Sequence, residues 1–150
     1  LQALELFQTL PETRLNWICD RAEELHLEPG EVLIREGEVG KGYFILSAGR
    51  VGITRSTEGN EMPLGQHEAP MSFGEIPILT DEPVLVSMHA ITACRLHRLT
   101  CEDFLEVLHS CRQFERLVFK TVQQRVEGLT SFIRQREKMA ALGTLSAGLA

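Results

Sequence analysis

The carboxylate of Glu75 opens the string Phe73-Gly74-Glu75 onto the rest of FGEIPILTDEPVLV. It can either accept a hydrogen bond from a ligand or be satisfied by backbone amides at the turn it begins. Phe73, Gly74, Ile76, Leu79, Val84, Leu85, Val86 and Met88 surround it in sequence and make a candidate ligand pocket that is apolar apart from that acid. The other residue types that carry chemistry are dispersed. His26, His67, His89, His97 and His109 share no short spacing, so a nucleophile-base pair could assemble only by folding, and a core or surface role is expected for each. Cys19, Cys94, Cys101 and Cys111 form no CxxC pair and meet no histidine at ligand spacing. Reduced thiols in a cytoplasmic protein are expected, with no metal site. GEVGKG lacks the GxxxxGK[ST] spacing of a P-loop. No catalytic residue, metal or cofactor is predicted in this stretch.

The elements that must position Glu75 follow from length and pattern. The 150 residues suffice for one domain with a sizeable core plus an appendage. No apolar run approaches the length of a bilayer, so the chain is expected to be soluble. The net charge of −6 conceals an asymmetry: residues 1–110 carry 8 basic and 18 acidic side chains, and residues 111–150 carry 7 basic and 3 acidic. So acidic a body repels nucleic acid, and no direct nucleic-acid binding is expected.

LPETRLNWICDRAEELHL places Leu15, Ile18, Ala22 and Leu25 at helical spacing and predicts an amphipathic helix that stops at Pro29-Gly30. From Val32 the period shortens, and β-branched and aromatic runs alternate with glycines, the signature of short strands in a barrel or sandwich. Tyr43, Ile45, Val51 and Ile53 alternate so that one face can fill a roll interior. Glu58-Gly59-Asn60 marks a hairpin tip, and the β region ends near Leu99. Thr100 with Asp103, and Ser110 with Gln113, read as two helix starts. After Ser110 neither Pro nor Gly occurs until Gly128, which predicts a long helix. Along it Phe119, Val122, Val126, Leu129 and Ile133 make one seam, and packing against a parallel second copy satisfies it.

Helix, glycine-punctuated roll, FGE segment and long helix together resemble a cyclic nucleotide-binding domain, the module of bacterial cyclic AMP-responsive regulators and of kinase regulatory subunits. The string PGEVLIREGEVGKGYFILSAGRVGI, residues 29–53, carries the resemblance together with FGE, and the likeness covers roughly residues 4–125. It implies a mainly β fold with flanking helices: a double-stranded, jelly-roll-like β-helix over residues 1–110, then a long helix over 111–150. It also implies that the segment after FGE is a phosphate-binding cassette, in which Glu75 matches the acid that contacts the ribose hydroxyl. Aligning Pro83 with the cassette's proline puts Val84 where the family has an arginine. A buried phosphate needs a cation or several convergent donors, and valine supplies neither. The expected ligand is therefore a small molecule other than cyclic AMP or cyclic GMP, or the roll is a scaffold that binds none.

Residues 134–150, RQREKMAALGTLSAGLA, resemble in addition the start of the dimerisation and phosphoacceptor helix of a bacterial sensor histidine kinase. This resemblance implies a non-enzymatic input module that ends just before the acceptor histidine. The longer protein would be a histidine protein kinase, a transferase of a two-component system that relays phosphate to a response regulator. The rival expectation is a regulator of the cyclic AMP-receptor type, whose dimerising helix leads into a helix-turn-helix domain.

Overall fold

The structure, a computed structural model, describes residues 7–149 and the side chains of all of these but 129, 130, 132 and 144–149. The chain forms two compact units that meet in sequence between Phe114 and Glu115.

In the first unit a helix, α1 (Glu12–Arg21), precedes eight strands: β1 (Glu23–Leu27), β2 (Val32–Ile34), β3 (Tyr43–Ala48), β4 (Arg50–Thr57), β5 (Asn60–Glu68), β6 (Met71–Phe73), β7 (Ser87–Ala90) and β8 (Cys94–Leu99). A short helix, α2 (Glu75–Thr80), lies between β6 and β7, and α3 (Cys101–Ser110) follows β8. The strands form two four-stranded antiparallel sheets, ordered β1-β8-β3-β6 and β2-β7-β4-β5. Both sheets contribute to one core: Leu33, Ile34, Val51, Met88 and Ala90 come from one, and Phe44, Leu46, Phe73, Cys94 and Leu96 from the other. Full burial of each large apolar side chain is worth about 1.5–3 kcal/mol, and this set holds the roll closed.

The β4–β5 hairpin turns at Glu58 and Gly59, both with positive φ, 52° and 80°. Two successive positive values are the demand of a two-residue type I′ loop, and the hairpin tip falls where the sequence predicts it. Thr100 caps α3 by accepting the Asp103 N–H at 3.1 Å, again as predicted.

Three expectations are corrected. The first helix ends at Arg21, and Leu25 lies in β1, where it pairs with Leu96. Leu25 and Leu27 pack on the roll core while Glu24 and His26 face out, so EELHL is a period-2 strand whose pairing with β8 overrides the helical spacing. Ser110 does not start a helix. It is the last residue of α3, its hydroxyl donates to the Glu106 carbonyl at 2.7 Å, and α4 (Arg112–Leu149) begins two residues on. Tyr43 and Ile45 are buried but do not belong to the roll core; the alternate residues Phe44 and Leu46 do. Tyr43 packs instead on Phe104 and Phe114, with ring centroids 4.7 and 5.9 Å away. A central strand buried on both faces carries no alternation from which its inner face could be read.

In the second unit α4 continues as a single helix. Phe119, Val126 and Ile133, seven residues apart, are 56%, 58% and 47% exposed, and Val122 is half-buried. The fifth member of the expected seam, Leu129, has its side chain outside the described residues.

Candidate functional site

The site is built where β6 runs into α2. Gly74 has φ of 100°, and a Cβ there would stand 2.6 Å from the Gly42 carbonyl oxygen, so only glycine lets the chain turn this close to β3. The turn delivers Glu75 into the interior as the first residue of α2, 1% exposed. Pro77 falls in the first turn of α2, where its missing N–H leaves no helical bond unmade.

The structure separates the expected pocket residues into two groups. Phe73, Val84 and Met88 are members of the roll core, with Val86 packed against them, and Val84 is 5% exposed. Ile76, Leu79 and Leu85 lie outside it with exposed side chains, Leu85 at 59%. A six-residue helix has one buried side, and Glu75 occupies it.

Val84 is fixed by its backbone as well. Its N–H donates to the Glu38 carbonyl at 2.9 Å, and its carbonyl accepts the Gly37 N–H at 2.8 Å. Where the resemblance implies an arginine for a cyclic phosphate, this chain therefore has an apolar side chain directed into the core. The neighbouring arginines do not replace it. Arg98 donates through Nη1 to the Lys41 carbonyl at 2.7 Å, and its Nε lies 3.5 Å from the Glu23 carboxylate. Arg95 is exposed, between the core residues Cys94 and Leu96, so it points away from the roll interior.

His67 is a residue that sequence reasoning did not bring to this site. It pairs in register with the core residue Val51, so its side chain shares the inner face. Its ring stacks on Phe73 with centroids 5.5 Å apart, and the other neighbour of Phe73, Phe44, is at 5.7 Å. Strand parity along β5 was the available signal. His97 is held apart from this site, on the outer side of β8, level with Ile45 on one side and Glu24 on the other. Burial pushes its imidazole below the ordinary value, and the Glu24 carboxylate partly opposes that shift.

Among the described residues no group of three or more His, Cys, Asp or Glu is placed to hold a metal ion. No helix among them is long and apolar enough to cross a membrane.

A profile of the family described as "Cyclic nucleotide-binding domain" matches residues 24–111. Among curated proteins, the chain is 38% identical over 111 residues to potassium/sodium hyperpolarization-activated cyclic nucleotide-gated channel 1 of Homo sapiens, a match over 71% of this chain and 12% of the channel. It is 37% identical over 84 residues to cGMP-dependent protein kinase 2 of Homo sapiens, over 55% of this chain and 11% of the kinase. The matches thus span about a tenth of the length of these relatives. Among solved structures, the Thermus thermophilus catabolite activator protein superposes with a TM-score of 0.75 at 19% identity, over 85% of this chain and 61% of that one. The sensor domain of the transcriptional regulator DNR from Pseudomonas aeruginosa gives 0.72 at 22%, over 87% and 88%. At these identities the likeness is one of fold.

These findings overturn the expectation of a histidine kinase input module, and with it the transferase and two-component reading and the motive for a phosphorelay. The likenesses that cover most of the chain include a catabolite activator protein, a transcription regulator's sensor domain, a channel and a regulatory subunit of a protein kinase A, and none of them is to a histidine kinase. The kinase-like reading rested on the resemblance of one short string, residues 134–150, which beyond its charged start is made of small and apolar residues. Such a pattern suits any long helix that packs on a second one, and so it does not discriminate. Part of that string, the side chains at 144–149 and residue 150, lies outside the described residues.

Proposed function

This chain belongs to the cyclic nucleotide-binding domain family, and from that premise we propose that it is the regulatory domain of a larger transcription regulator of the cyclic AMP-receptor type. In this reading the cassette answers to a small molecule other than cyclic AMP or cyclic GMP, and α4 pairs two copies in parallel. The observation that carries the ligand class is the place of Val84, buried in the roll core where a phosphate would need a cation. The candidate site is the run from Phe73 to Met88, with Glu75 as its buried acid and His67 stacked on its first residue. The exposed heptad of Phe119, Val126 and Ile133 supports the pairing.

Regulation in this reading needs two packed states that the ligand distinguishes. Repacking of residues 73–86 would be passed to α3 and then along α4 to whatever domain follows. DNA reading would be supplied by residues outside this stretch, since the roll is acidic.

The test is in vitro selection of DNA with the full-length protein. Enrichment of a sequence with two half-sites about 10 base pairs apart, or a multiple of that, is expected for a parallel dimer. A full-length, folded dimer that enriches no sequence would overturn the transcription-regulator reading.

A further inference from the structure

Strand β4 outruns one of its neighbours. Its pairing with β7 stops at Thr54 opposite Ser87, whereas its pairing with β5 goes on to Thr57 opposite Asn60. Beyond Thr54, donors on the β7 side of β4 have no strand to meet and must be satisfied otherwise. The Ser56 N–H is taken by the Glu36 carboxylate, with Oε2 at 2.8 Å.

Glu36 is not on a strand. It lies in the turn after β2, and its own N–H donates to the Ser87 hydroxyl oxygen at 2.9 Å, at the start of β7. That turn is closed by the Glu38 N–H on the Arg35 carbonyl at 3.1 Å. The two residues after Glu36 are those that hold the cassette: Gly37 and Glu38 make the pair of backbone bonds to Val84. On the hairpin side, the Thr54 hydroxyl donates to the Glu61 carboxylate at 3.1 Å, so β4 is tied to β5 two residues from the point where Glu36 meets β4.

We propose that Glu36 is a positioning residue that ties the cassette at Val84 to the distal half of the β4–β5 hairpin, which makes the hairpin a second place where a displacement of the cassette is felt. A carboxylate on a backbone N–H is a charge-assisted bond, stronger than the neutral bond that an ordinary strand neighbour would supply. Three elements, β4, β7 and the segment before β7, converge on residues 36–38, and the turn cannot shift without altering bonds to each. A carboxylate that merely capped a strand end would need no place beside the residues that hold Val84, on a backbone whose own N–H is fixed to Ser87. The tie does not depend on which ligand the cassette takes.

Amide hydrogen exchange on the unliganded chain tests it. Glu36→Ala should speed exchange about tenfold at both Ser56 and Val84 and leave the core strands β3 and β8 unchanged. Glu36→Gln, which keeps an acceptor, should restore most of the protection at both positions. Ser87→Ala should speed exchange at Val84 in the same direction. If Glu36→Ala speeds Ser56 but leaves Val84 within about twofold of the wild type, Glu36 only caps a strand and the proposal falls. Equal acceleration in β3 and β8 would report loss of global stability and would overturn it too.

Discussion

The Val84 N–H donates to the Glu38 carbonyl across 2.9 Å, and the Val84 side chain points from that anchor into the roll core. The same residue is thus held from two directions, by a backbone pair to the turn after β2 and by apolar contacts with the core. In a roll whose family is defined by a nucleotide site, the position expected to meet the phosphate has become part of the structure that closes the roll.

The turn before α2 sets a steep local requirement. Gly74→Ala should cost roughly 2–4 kcal/mol, since it combines a left-handed backbone with a Cβ against the Gly42 carbonyl. Gly59→Ala, also at positive φ but with no atom within 4 Å of the added Cβ, should cost only the backbone share, about 1 kcal/mol. Urea unfolding of the two variants measures the difference, and equal losses would show that close packing at Gly74 is not what demands glycine.

Acid should weaken the fold through His97. Burial lowers its folded-state value, so the unfolded chain takes up the proton first as pH falls below about 6.5. The stability that neutral His97 permits is fully present above that pH and is lost as pH falls toward and through the lowered folded value. Glu24→Gln removes the charge that opposes the shift and should make the loss steeper. Thermal melts of wild type, Glu24→Gln and His97→Gln between pH 8 and pH 5 follow the effect; a His97→Gln variant with the wild-type slope would remove His97 as its source.

The seam on α4 should be an interface between copies. Light scattering at high micromolar concentration should give about twice the mass of one chain, and Val126→Glu with Ile133→Glu should return it to one. Both sites lie on a helix face exposed in the single chain, at 58% and 47%, so the changes leave the fold of the roll intact. A wild-type chain that stays monomeric would contradict the pairing.

The extent of the β region from Val32 to Leu99, its hairpin tip and the start of α3 were legible in the sequence, because turn glycines and the Thr100 cap act locally, whereas the individual strands and their pairing were not. What was hidden depends on neighbours remote in sequence. Leu25 satisfies a helical and a strand period equally, and only the presence of β8 beside it decides. Tyr43 and Phe44 are both apolar, and only the aromatic pair Phe104 and Phe114 on one side of β3 tells which faces the helices. At the site, the absence of an arginine at position 84 could be read directly. That Leu85 faces solvent while Val84 is buried, and that His67 lies on Phe73, follow from strand register and needed the fold.

The account turns on what Val84 denies the site, and calorimetry with cyclic AMP and cyclic GMP measures that most directly. Loss of a charge-assisted pair to a buried phosphate is worth about 1.5–3 kcal/mol, or roughly 10- to 100-fold in affinity. Titration of the chain should therefore show no saturable heat for either nucleotide below about 100 μM. Saturable binding of either one at low micromolar concentration would show that another donor meets the phosphate, and would contradict the claim that this roll answers to a different molecule.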